Sequence, residues 1–165
     1  MIDDPDEEAP EKPVGDLEFL CTLGGQFDST DVSIWFRSPD LDRQEITEVL
    51  GVEPTKAWNA GESHSVGNSK RTRRLKFGFW TLETPKDSFH PESKIEELFS
   101  RCTKDLKVWA MLAEKYEAYL TVGGTILNFN RELDLTPKVL KLIAERNLIL
   151  KVDVFYWGDD EDDQL

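Results

Sequence analysis

The sequence predicts an α+β fold with a ferredoxin-like core. The expected core is an antiparallel four-stranded sheet from two βαβ halves, with helices on one face and extra helices inserted between the halves. Three observations carry this. Stretches such as 31–37 and 148–157 alternate with the period of two that strands require. Between them, apolar residues recur every three or four positions, the stripe of a helix packed on one side. The order strand, cap, helix, strand also occurs twice. Ile34-Trp35-Phe36-Arg37 before Asp40-Leu41-Asp42 resembles Leu127-Asn128-Phe129-Asn130 before Glu132-Leu133-Asp134.

The charge is placed unevenly. The net charge is −13, of which residues 1–16 carry −6 and the Asp-Asp-Glu-Asp-Asp run at 159–163 carries −5, leaving −2 for the rest. Like-charge runs repel themselves, so both ends are expected to be disordered acidic tails, 1–16 and 159–165, around a single domain at 17–158. Their plainest use is solubility; folding back over a basic loop is the alternative.

The elements follow in order. Leu17 to Leu23 reads as a weak strand ended by Gly24-Gly25. In 31–37, Val32, Ile34 and Phe36 take one face, and Ser33, Trp35 and Arg37 the other. A short helix over 41–50 begins with Asp42 and Glu45 in capping-box spacing and stops at Gly51. Residues 52–74 show little periodicity and read as a long loop, functional or mobile. Leu75, Phe77 and Phe79 alternate with Lys76, Gly78 and Trp80 as the next strand. Apolar positions from Ile95 to Tyr116 form a core stripe, read as two helices because Thr103-Lys104-Asp105 offers a new cap. A strand follows over 118–127, where Gly123-Gly124 signals a bulge or a close packing contact. Thr136 and Pro137 open the last helix, and Leu148 to Trp157 is the last strand.

If the helices cover Val32, Ile34, Phe36, Phe77, Phe79, Val122, Val152 and Val154, the opposite face shows Trp35, Arg37, Lys76, Trp80, Tyr119, Thr121, Lys151, Phe155 and Trp157. Aromatics with interleaved cations make a candidate binding surface. Coverage by strand 17–23, a loop or a second copy is weighed above an open face, because an open one leaves a large apolar patch.

Chemistry is sparse. His64 and His90 lie near no second ligand at metal spacing, and Cys21 and Cys102 form no framework. No nucleophile elbow, phosphate loop or dinucleotide fingerprint occurs. No catalytic residue, metal or cofactor is assigned, and an enzyme is the less favoured reading. The run Lys70-Arg71-Thr72-Arg73-Arg74 could meet phosphate, but the acidic tails oppose nucleic acid. Trp58, in the Pro54-to-Gly61 loop, either pins that loop beside Trp80 or walls a small pocket with Lys56 and Arg73 supplying charge. Lys56, Trp58, Arg73 and Trp80 are therefore the candidate ligand-binding residues. No stretch is long and apolar enough to span a bilayer, no secretory signal is visible, and a reducing cytoplasm is expected.

Taken together, Leu41-Asp42, Glu45-Ile46, Leu50-Gly51-Val52-Glu53-Pro54-Thr55, Trp58, Gly61, Arg73, Gly78-Phe79-Trp80 and Leu150 to Tyr156 resemble a bacterial family catalogued only as domain of unknown function 4279. The likeness covers roughly residues 30–157. It implies no activity. It implies that Pro54-Thr55, Trp58, Gly61 and Trp80 recur as a unit. The expected function is a non-catalytic binding or interaction module with a site around 53–76, engaging a protein partner or a small anionic ligand. The alternatives are an enzyme using the same cleft and a homodimer using the open sheet face.

Overall fold

A computed structural model describes residues 25–65, 72–87, 90–127 and 130–157. The two acidic tails and the strand expected at 17–23 lie outside these residues. In chain order the elements are β1 (Ser29–Ser38), α1 (Arg43–Leu50), β2 (Lys56–Trp58), β3 (Ser63–Ser65), β4 (Thr72–Arg74), β5 (Gly78–Glu83), α2 (Pro91–Arg101), α3 (Leu106–Lys115), β6 (Glu117–Ile126), α4 (Pro137–Ala144) and β7 (Ile149–Tyr156). The class is α+β.

The sheet departs from the expected four antiparallel strands. It has five, in the order β2-β5-β1-β6-β7, and its last pair, β6 and β7, is parallel. The halves also divide elsewhere. β1, α1 and β2 form one crossover, with β5 lying between the two strands. β5, α2, α3 and β6 form the other, with β1 in between. So α2 and α3 are the second crossover itself, not an insertion, and α4 with β7 is an added unit. The physical reason lies in 52–74. This stretch is not one loop: it holds β2, which takes the sheet edge, and the β3–β4 hairpin, which returns the chain to β5.

Local chemistry explains the helices. The Asp42 carboxylate accepts from the backbone N–H of Gln44 and Glu45, and Gly51 closes α1 at φ 70°, a left-handed conformation that suits glycine. The second half of the capping box does not form. Glu45 instead accepts from Lys115 and from the Tyr116 hydroxyl at 2.6 Å, tying the start of α1 to the end of α3. The Asp105 carboxylate caps α3 through Lys107 N–H at 2.9 Å, so the chain does break between α2 and α3. Pro137 occupies the first turn of α4, although the Thr136 side chain makes no capping bond.

The core lies between one sheet face and the helices. Val32, Ile34, Phe36, Trp80, Leu82, Leu120 and Val122 meet Ile46, Leu50, Ile95, Leu98, Trp109, Leu112 and Ile143. The face expected for β5 is inverted: Trp80 and Leu82 point to the helices, opposite Phe36 and Ile34, while Phe79 points away. Phe77 precedes the strand and is exposed. Val152 and Val154 share register with the helix-side residues Val122 and Gly124 but remain exposed, because β7 is an edge. Gly123-Gly124 is a packing contact with unbroken register and no bulge. A Cβ at Gly124 would stand 2.5 Å from the Phe27 ring.

Three carboxylates are held below their ordinary range. Arg131 lowers Asp28, Lys115 and then Tyr116 lower Glu45, and the Thr136 backbone N–H lowers Glu92. A depressed carboxylate stabilises the fold above its unfolded pKa, and that contribution is lost as pH falls through the folded value. Stability is therefore expected to hold from neutrality to about pH 5 and to fall below about pH 4.3, the free glutamate value. Glu45→Gln should lower the urea midpoint at neutral pH and flatten the acid limb. An acid limb unchanged in the variant would count against this account.

Candidate ligand-binding face

The face away from the helices presents an aromatic band that crosses the sheet. Alternation places Trp58, Phe79, Trp35 and Tyr119 on it, from β2, β5, β1 and β6. Trp58 and Phe79 have ring centroids 4.4 Å apart, Phe79 and Trp35 5.6 Å, and Trp35 and Tyr119 6.1 Å with planes only 8° apart. These spacings are those of attractive ring pairs. The Trp35 indole Nε1 donates to Ser33 Oγ at 2.8 Å, which fixes that ring's orientation. All four rings are half-buried, and no described element covers them.

Cations bracket the band. The Arg37 guanidinium stands 4.4 Å over the Phe77 ring. Lys151 Nζ lies 3.4 Å over Tyr119 and 3.0 Å from Glu117 Oε1. Burial raises the Tyr119 phenol above its usual range, and Lys151 partly offsets this. Arg74 donates from Nε to the Gly61 carbonyl at 3.1 Å, so the β3–β4 hairpin holds one guanidinium at the rim.

Two grooves result, with Trp35 and Tyr119 lining both. The larger, about 520 Å³, is lined by those rings, Phe77 and Phe79 and by Arg37, Arg74 and Lys76, with no carboxylate among its lining residues. The smaller, about 380 Å³, mixes Lys151 with Asp31 and Asp153. Both volumes fall in the range of small-molecule sites. The larger groove has neither a carboxylate nor a histidine to move a proton and no hydroxyl or thiol nucleophile beyond the Tyr119 phenol. What it offers is a flat apolar wall and fixed positive charge.

The candidate residues separate. Lys56 and Trp58 lie on this face at the outer strand, where Lys56 pairs with Glu83 at 2.9 Å. Arg73 is in β4, with its backbone opposite His64. Of the basic run, Lys70 and Arg71 lie outside the described residues. Trp80 is not on this face at all: it is fully buried on the helix side, and its Nε1 donates to Thr47 Oγ1 at 3.0 Å. The residues that centre the larger groove, Trp35, Phe79 and Tyr119, are not among the candidates drawn from the sequence. Trp35 and Tyr119 were legible as open-face residues from their alternation; Phe79 was not, since both faces of its strand are apolar.

Other titratable groups serve the fold. Burial pushes the Cys102 thiol up to about 11, so it is no thiolate at neutral pH. His90 caps α2, its Nδ1 accepting from Glu92 N–H at 3.2 Å. Among the described residues no cluster of three or more His, Cys, Asp or Glu could hold a metal ion, and no helix is long and apolar enough to cross a membrane.

A family model described as Domain of unknown function (DUF4279) matches residues 28–157. No curated protein and no solved structure matches the chain.

Proposed function

The chain belongs to the family described as Domain of unknown function (DUF4279), and from that premise we propose that it is a non-catalytic binding module for a small, flat, anionic ligand. The observation that carries this reading is the composition of the larger groove: four aromatic rings and three cations without one carboxylate, in a chain whose charge outside the two acidic tails is −2. Against that background, a purely cationic concavity needs a reason. Stacking against Trp35 and Phe79 would hold the ring of such a ligand, and the planar Arg37 guanidinium would meet its carboxylate or phosphate. The rest of the molecule repels extended polyanions, which favours a small anion over nucleic acid. The absence of an acid–base pair in the groove favours binding over catalysis. A cytoplasmic setting belongs to the same reading, since the chain's cysteines form no disulfide framework.

The test is a thermal-shift and tryptophan-fluorescence screen of aromatic carboxylates and small aromatic phosphates. A ligand is expected to raise the melting temperature by mass action and to quench Trp35. Arg37→Ala and Trp35→Ala should each weaken it by about 10–100-fold, the worth of one charge-assisted bond or one stacked ring; Arg37→Ala should leave the melting temperature of the free protein nearly unchanged, whereas Trp35→Ala, which loses the ring pairs with Phe79 and Tyr119, should lower it. Trp58→Ala should have a smaller effect, since Trp58 lies beside the groove rather than in its lining. A ligand whose affinity ignores both Arg37→Ala and Trp35→Ala would place its site elsewhere.

A further inference from the structure

The far edge of the sheet makes a separate case. β7 pairs with β6 on one side and with no strand on the other among the described residues. Its apolar side chains stay exposed on both faces: Val152 at 42%, Val154 at 49% and Phe155 at 58%, with Trp157 just beyond at 74%. An edge strand with exposed apolar side chains can accept another strand unless charges or a covering element blunt it.

The sequence of this edge fits itself. Ile149-Leu150-Lys151-Val152-Asp153-Val154-Phe155 can meet a second copy antiparallel about a two-fold axis through Val152. Lys151 then faces Asp153 of the other copy, Leu150 faces Val154, Ile149 faces Phe155, and Val152 faces itself. Every pair also shares a sheet face, since Lys151 and Asp153 are register partners of Thr121 and Gly123 on the open side, and Leu150, Val152 and Val154 follow Leu120, Val122 and Gly124 on the helix side. Neighbouring registers that keep the faces matched fail electrostatically. A centre on Lys151 sets two lysines opposite each other, and a centre on Asp153 sets two aspartates, and directly opposed like charges destabilise a ladder. The Asp153 carboxylate makes no hydrogen bond or ion pair among the described residues, so it is available.

We propose that the chain forms a two-fold dimer through antiparallel β7–β7 pairing centred on Val152, the sheet running continuously through both protomers. The interface is isologous, as a closed dimer requires. It lies away from the larger groove, so it does not depend on the ligand reading.

The experiment is sedimentation velocity on the full chain over a concentration series, with charge variants. The wild type is expected to dimerise. Asp153→Lys sets lysine against lysine, and Lys151→Glu sets acid against acid, so each alone should raise the dimer Kd at least about tenfold through its two symmetric pairs. Mixed together, the two variants set the introduced glutamate opposite the introduced lysine and keep one native Lys151–Asp153 pair, and a heterodimer should return. Asp153→Lys alone keeps the test open if Lys151→Glu, which also loses the Glu117 contact, fails to fold. A wild type that stays monomeric at about 100 µM, well above the Kd of a specific association, would overturn the proposal. So would a dimer indifferent to Asp153→Lys, or folded variants that do not recombine.

Discussion

Replacing Trp80 with alanine is expected to cost about 3–5 kcal/mol of stability, read as a drop in the urea midpoint with little change in slope. The indole is fully buried between β5 and the helices. Its ring meets Phe36 edge-on at 5.8 Å, and its Nε1 donates to Thr47 Oγ1, which in turn donates to the Arg43 carbonyl. Truncation removes a large apolar volume and leaves a cavity that the close-packed sheet and α1 cannot readily fill. The contrast with Trp58 is the informative part. Trp58→Ala should cost clearly less than Trp80→Ala, because Trp58 is half-buried on the open face against Phe79 and not enclosed in the core. If Trp80→Ala were tolerated and Trp58→Ala unfolded the chain, the facing of the sheet would be wrong.

Lys94→Ala is expected to cost about 3 kcal/mol, toward the low end of what breaking a buried ion pair costs. Lys94 is buried at 3%, and its ammonium lies in a polar cage. It donates to the Thr30 carbonyl at 2.9 Å and to the Pro85 carbonyl, and it pairs with Asp87 Oδ1 at 2.7 Å. The lysine thus ties α2 to the start of β1 and to the connection leaving β5. Removing it strips a charge-assisted partner from buried carbonyls and from the carboxylate. The effect stays at the low end because the Asp87 side chain is about a third exposed, so water can replace part of what is lost. Lys94→Met, which refills the volume but not the bonds, should recover less than half the loss. Recovery close to wild type would mean that packing, not the polar cage, carries the site.

Much of this was legible in the sequence where one residue type answers one local need. Asp42 and Gly51 bound α1, Asp105 opens α3, and Pro137 sits in the first turn of α4, because capping and turn chemistry is local. The alternation in β1 and β6 gave the correct faces, since each strand has one apolar side. β5 failed for the opposite reason. Phe77, Phe79, Trp80 and Leu82 are all apolar, so a one-residue choice of parity turned Phe79 inward and Trp80 outward, and with Trp80 went one of the four candidate site residues. β2 was invisible because three residues carry no period. The parallel β6–β7 pair was beyond reach because strand order is decided by long-range packing.

The two edges of the sheet are unequal, and this bears on how large any assembly can grow. β7 offers eight residues to a newcomer, whereas β2 offers three and fastens Lys56 to Glu83 beside them. A particle with one receptive rim and one curtailed rim can add a neighbour once. Among the described residues, copies joined along β7 would then leave the short β2 as the outer edge of the five-stranded sheet at each end, a poor template for growth into a ribbon or fibre.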